Sequence, residues 1–226
     1  MKTILESIKE KNEKIKNKFK ERKLFNRIYV WVKDPVNDDV EIDKTLAIIA
    51  KKMPKHYFKN IDAIFIGQFP ELSKRSLNAS FDDGAIYVTN SVVDTEDLLK
   101  NIVHEVAHAV ESQYPELIEE NNELVHEFLT KRKQLKEILE LNKYKTAKLN
   151  FYNTEYDPSF DAFLYQEVGY PALHTLTTNL FVSPYAATSF KEYFANGFEH
   201  FYLNDFYTVK TTSFILFSVL SAIDML

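Results

Sequence analysis

Cysteine is absent from this 226-residue chain. Disulfides and thiolate metal sites are thereby excluded, and any metal has to be held by histidine and carboxylate. Glycine is scarce, at four residues. Neither G-x-x-x-x-G-K-[ST] nor G-x-G-x-x-G occurs, which removes the glycine-rich phosphate loops. Positive charge is not in excess: the formal net charge is −5, so no overall signature of nucleic-acid binding is present. Long apolar runs are missing too. The most apolar stretch, residues 214–226, is interrupted by Ser218, Ser221 and Asp224. It predicts a buried terminal helix and no membrane span. The Lys-rich start, residues 1–23, lacks the apolar centre of a secretory leader, which points to the cytoplasm or to a larger particle.

What the chain does have is enough apolar material, 45% of residues, for one sizeable core around a cleft. It also has His104-Glu105-Val106-Ala107-His108. This is H-E-x-x-H, and its surroundings are helical in pattern. Asp94 or Thr95 supplies a cap, and Glu96 and Asp97 suit the positive end of a helix. Leu98, Leu99, Ile102, Val103, Val106, Ala107 and Val110 give an apolar face, and Pro115 marks a stop. Residues four apart lie one turn apart on the same face. Two imidazoles so placed can grip one Zn²⁺ per chain, with Glu105 beside them as a base for a water molecule.

The elements around this helix follow an ordered pattern. Residues 1–25 read as an amphipathic helix with Ile4, Leu5, Ile8, Ile15 and Phe19 on one side. The remainder, 26–226, reads as a single catalytic domain. Within it, 26–111 form an upper lobe: a strand over 27–32, a helix over 39–52, a strand over 61–66, a short strand over 77–81, a turn at Asp82-Asp83-Gly84 and a strand over 85–89. Residues 116–149 are a long charged helical pattern, one helix or a hairpin, lying within an insertion over 112–183. This region could pack as an accessory element or dock a protein partner. The lower lobe, 184–226, is helical. Together these predict an α+β fold of zincin type, a small mixed sheet plus an active-site helix. Its last strand, Ile86, Tyr87, Val88 and Thr89, is expected near the edge where an extended peptide substrate pairs.

A catalytic zinc needs a third protein ligand. The metzincin pattern fails, because Glu111 and Tyr114 stand where it requires glycine and histidine. Two glutamates compete. Glu127 stands at the spacing used by one large class of metallo-aminopeptidases, but without that class's Asn-Glu-Gly context. Glu192 lies in a second helical stretch, Ser189 to Phe198, with aromatic and small residues around it and Tyr185 just upstream. His56, His126, His174 and His200 have no partner at ligand spacing.

The stretch Lys100 to Val110, with Tyr185 to Phe198, resembles the catalytic domain of the anthrax lethal factor family, which includes the clostridial Pro-Pro endopeptidases. The likeness loosely covers residues 27–111 and 184–226, by order of elements more than by identity. It implies a zinc metallopeptidase of gluzincin type. His104, His108 and Glu192 would be the ligands, Glu105 the general base, and Tyr185 the phenol that stabilises the oxyanion. Asn196 falls where the family places an acid that orients a zinc-bound histidine. Two other functions remain compatible with the sequence alone: a non-catalytic binding module that keeps the fold, and an aminopeptidase with Glu127 as ligand.

Overall fold

A computed structural model describes residues 21–226. The amphipathic pattern over 1–25 falls mostly outside these residues. Where it enters them, Arg22–Leu24 is a strand, β1, paired antiparallel to β2 (Ile28–Val32). The chain divides into two compact units, Met1–Ala109 and Val110–Leu226. It is α+β, and no helix among the described residues is long and apolar enough to cross a membrane.

The first unit is built on five mixed strands. After β2 come α1 (Ile42–Lys52), β3 (Ala63–Gly67), α2 (Pro70–Arg75), β4 (Ala79–Asp82) and β5 (Ala85–Thr89). The sheet order is β1-β2-β3-β5-β4, with β2, β3 and β5 parallel and β4 antiparallel to β5. Period-two alternation sends Ile28, Val30, Ile64, Ile66, Ile86 and Val88 into the core, while Tyr29 and Trp31 stack on the opposite face, exposed. Burying these six branched side chains contributes roughly 1.5–3 kcal/mol each before entropy is counted.

Two features depart from the sequence expectation. The helix expected from residue 39 starts at Ile42. The Thr95 hydroxyl accepts the Glu41 N–H at 2.8 Å and donates to the Asp39 carbonyl at 3.1 Å, which holds residues 39–41 out of the helix. The edge of the sheet is β4, so Ile86, Tyr87, Val88 and Thr89 stand one strand in from it, paired on both sides. The tight turn at Asp83-Gly84 folds β4 back along the outside of β5, which is why the strand later in sequence is not the outer one.

The H-E-x-x-H helix is α3 (Thr95–Gln113). Its start is fixed by a reciprocal cap. Asp94 accepts the Asp97 N–H at 2.9 Å, and Asp97 accepts the Val93 N–H at 2.9 Å. It ends just before Tyr114-Pro115, as the proline requires.

The second unit is helical. The charged pattern forms one helix, α4 (Asn122–Leu141), with the Asn121 side chain accepting from the N–H groups of Glu123 and Leu124. Then follow α5 (Pro158–Ala162), a π-helix (Phe163–Val168), α6 (Tyr170–Leu176), a 3₁₀ turn (Tyr185–Ala187), α7 (Phe190–Leu203), α8 (Phe206–Thr212) and α9 (Phe214–Asp224). The terminal helix buries Leu216, Val219, Leu220 and Ile223. It approaches α7 so closely that a Cβ at Gly197 would lie 2.3 Å from the Leu216 side chain, so only glycine fits there.

Candidate functional site

Each unit carries part of the predicted set. In the first, His104 and His108 stack on one face of α3 with ring centroids 5.1 Å apart. From Ile102 to Val110 every other residue is buried; these two imidazoles alone are partly open. Glu105, between them, is buried at 6% exposure, and its Oε2 accepts the Phe81 N–H at 2.7 Å.

That bond ties the expected base to the edge strand. In an antiparallel pair, hydrogen-bonded and non-hydrogen-bonded residue pairs alternate. Thr89 donates to the Asn78 carbonyl at 2.8 Å, so Ala79 and Phe81 direct their backbone groups away from β5, Phe81 toward Glu105. Phe81 donates to Glu105 from this outer side.

In the second unit, Tyr185 and Glu192 are brought together. Ser189 caps α7 by accepting the Glu192 N–H at 3.2 Å, which sets Glu192 in the first turn. Glu192 is the partly open position in a run, Glu192 to Phe198, that is otherwise buried. Burial, followed by the nearby charge of Glu192 and then of Asp161, pushes the Tyr185 phenol far above its usual range. The phenol therefore keeps its proton and acts as a donor. Lys191, the neighbour of Glu192, pairs with Glu119 at 3.1 Å. Burial works against its charge, but Glu111 and Glu119 outweigh it and raise its pKa. Glu111 is on the last turn of α3.

Asn196 braces the local backbone. Its Oδ1 accepts the Ser183 hydroxyl at 2.6 Å and its amide donates to the Glu192 carbonyl at 2.8 Å. Ser183 in turn accepts the Ala186 N–H at 3.2 Å. The amide braces the turn carrying Tyr185 against the first turn of α7. The reason is local: a side chain four residues after Glu192 reaches back along its own helix.

Glu127 is not available as a ligand. Oε1 accepts the Tyr193 hydroxyl at 2.7 Å and the Leu216 N–H at 3.1 Å, and Oε2 accepts the Ile215 N–H at 2.9 Å. Its carboxylate serves the exposed donors at the start of α9. One helical turn on, Lys131 donates to the carbonyls of Leu180 and Thr212, and burial pushes its ammonium down to about 8.

Arg132 was not singled out by the sequence, yet it holds the site's backbone. It is buried, with its guanidinium 3.7 Å from the Phe160 ring centroid. It donates to Ala187 and Thr188 at 2.9 and 3.2 Å and to Asn150 at 2.9 Å. Burial lowers its pKa to about 10. Ala187 and Thr188 link Tyr185 to the cap of α7, so Arg132 fixes the connection between the phenol and Glu192. No local signal announces it, because in a charged helical pattern an arginine reads as surface.

No family model, no curated protein and no solved structure matches this chain.

Proposed function

We propose that the chain is a zinc-dependent endopeptidase with a zincin-like fold, similar to the lethal factor family in its site. One zinc ion would be held by His104, His108 and Glu192. The observation that carries the proposal is the pair of partly open imidazoles one turn apart on a buried helix, with Glu105 between them bonded to the edge strand. Support for the third ligand is that Glu192 is the partly open position in a run of its own unit that is otherwise buried. Two neutral nitrogens and one carboxylate suit a catalytic zinc, and a chain without thiolates offers no tighter competing set.

When bound, the ion supplies Lewis acidity, polarising the scissile carbonyl and bringing water within reach of deprotonation near pH 7. The residues of the chain do the rest. Glu105 takes the proton of the attacking water and later gives it to the leaving amine. Tyr185, held protonated by its burial, donates to the oxygen on which negative charge develops. An extended peptide would run along the open side of β4, the outer strand, at Ala79, beside the Phe81 N–H that Glu105 occupies.

The test is cleavage of peptides blocked at both ends. Turnover that a chelator abolishes and added zinc restores is the expected result. A purified, zinc-loaded chain that leaves a diverse library of blocked peptides intact, while hydrolysing free amino-terminal residues, would replace this proposal with an aminopeptidase.

A further inference from the structure

We propose that Asp161, with Tyr156, Tyr165 and Tyr170, forms a subsite for a cationic side chain, lysine or arginine, of the substrate. Naming the ligand a substrate side chain rests on the peptidase proposal; the attraction for a cation does not. Asp161 stands in α5, where its Oδ2 accepts the Tyr156 hydroxyl at 2.7 Å. Its other oxygen, Oδ1, is buried without a hydrogen-bond partner. That oxygen is an acceptor left without a donor, on a side chain that is otherwise half-buried. A cation brought near it relieves that deficit; a neutral side chain does not.

The aromatic surroundings favour the same ligand. The π-helix widens the backbone just after α5, and Gly169, at φ +79°, breaks it before α6. This break sets Tyr165 and Tyr170 edge to face, 5.4 Å between ring centroids. π-Helical turns of this kind recur at functional sites. Tyr165 and Tyr156 are 61% and 50% exposed, a large area of phenol ring offered to solvent next to a half-buried carboxylate. Ring faces are electron-rich and attract ammonium and guanidinium groups. The cluster adjoins the candidate site: the phenols of Tyr170 and Tyr185 both sense the charges of Asp161 and Glu192.

The experiment is a titration of the full chain, metal-free and zinc-loaded, with acetyl-arginine methylamide and acetyl-lysine methylamide. Their neutral isosteres, acetyl-citrulline and acetyl-norleucine methylamides, serve as controls, and tyrosine ring resonances report binding. The cations are expected to bind about tenfold more tightly than their isosteres. Asp161→Asn, which keeps the acceptor for Tyr156, should remove that preference. Tyr165→Leu, at an exposed position, should reduce it. Equal binding of arginine and citrulline, or an unchanged preference in Asp161→Asn, would overturn the subsite. Binding is read without turnover, so the two proposals fail separately. Selective cation binding by a chain that cleaves nothing defeats only the peptidase; cleavage indifferent to arginine or citrulline defeats only the subsite.

Discussion

Helices α3 and α4 are almost equal in length, 19 and 20 residues, and both bury charged side chains. They use those charges in opposite ways. In α3 the informative partners are within one turn: two imidazoles on one face and a glutamate between them. In α4 every informative partner is distant. Glu127 serves Tyr193, Ile215 and Leu216, Lys131 serves Leu180 and Thr212, and Arg132 serves Asn150, Ala187 and Thr188. The first helix presents two partly open imidazoles, and the second organises the backbone that carries Tyr185 and Glu192. A charged helical pattern is therefore no sign of a solvated element: one side of α4 is an internal framework of salt-bridge-type residues bonded to carbonyls and amides.

The contrast can be broken by substitution. Glu105→Gln should show the largest effect, a loss of turnover on the order of 10²–10⁴-fold with zinc still bound. Turnover at the wild-type rate would remove α3 from the chemistry. Arg132→Met leaves three carbonyls without their donor and should lower stability by about 3 kcal/mol or more in denaturant unfolding. Lys133→Ala, its exposed neighbour, should change stability by no more than about 0.5 kcal/mol. Equal effects at the two positions would mean that α4 is a surface helix after all.

Tyr185→Phe should reduce kcat by about a hundredfold, near 3 kcal/mol, with the melting temperature preserved. An unaltered kcat would take the phenol out of the mechanism. The smallest effect concerns Lys131, whose folded pKa of about 8 lies below its ordinary 10.5. Below pH 8 the ammonium is charged in folded and unfolded chains alike, and folding bears its full desolvation cost. Between pH 8 and 10.5 the unfolded chain holds more protons, so Lys131 contributes stability that rises with pH. Lys131→Met should flatten that rise in urea midpoints measured at pH 7.5 and 9.5. The same slope in both proteins would mean that Lys131 is not titrating there.

The same contrast explains what the sequence discloses. Strands β2 to β5 and helix α3 follow from alternation, turn residues and caps, all short-range signals. The Asp83-Gly84 hairpin was legible, but its consequence, that β4 becomes the edge, was not: alternation marks a strand without giving its place in a sheet. Helix α2 is announced only by Pro70 at its start and was missed. At the site, His104, Glu105 and His108 are joined by spacing alone. The bond from Ser183 to Asn196 was not legible, because it depends on how the chain returns before the 3₁₀ turn. Arg132 and Asp161 gave no signal, since their roles exist only once residues far apart in sequence are folded together.

Zinc content per chain tests the central claim most directly, measured in wild type, Glu192→Ala and Glu127→Ala. About one zinc in wild type, lost in Glu192→Ala and kept in Glu127→Ala, is the result predicted here. Zinc kept in Glu192→Ala, or no zinc in wild type even after loading with excess metal, would contradict it.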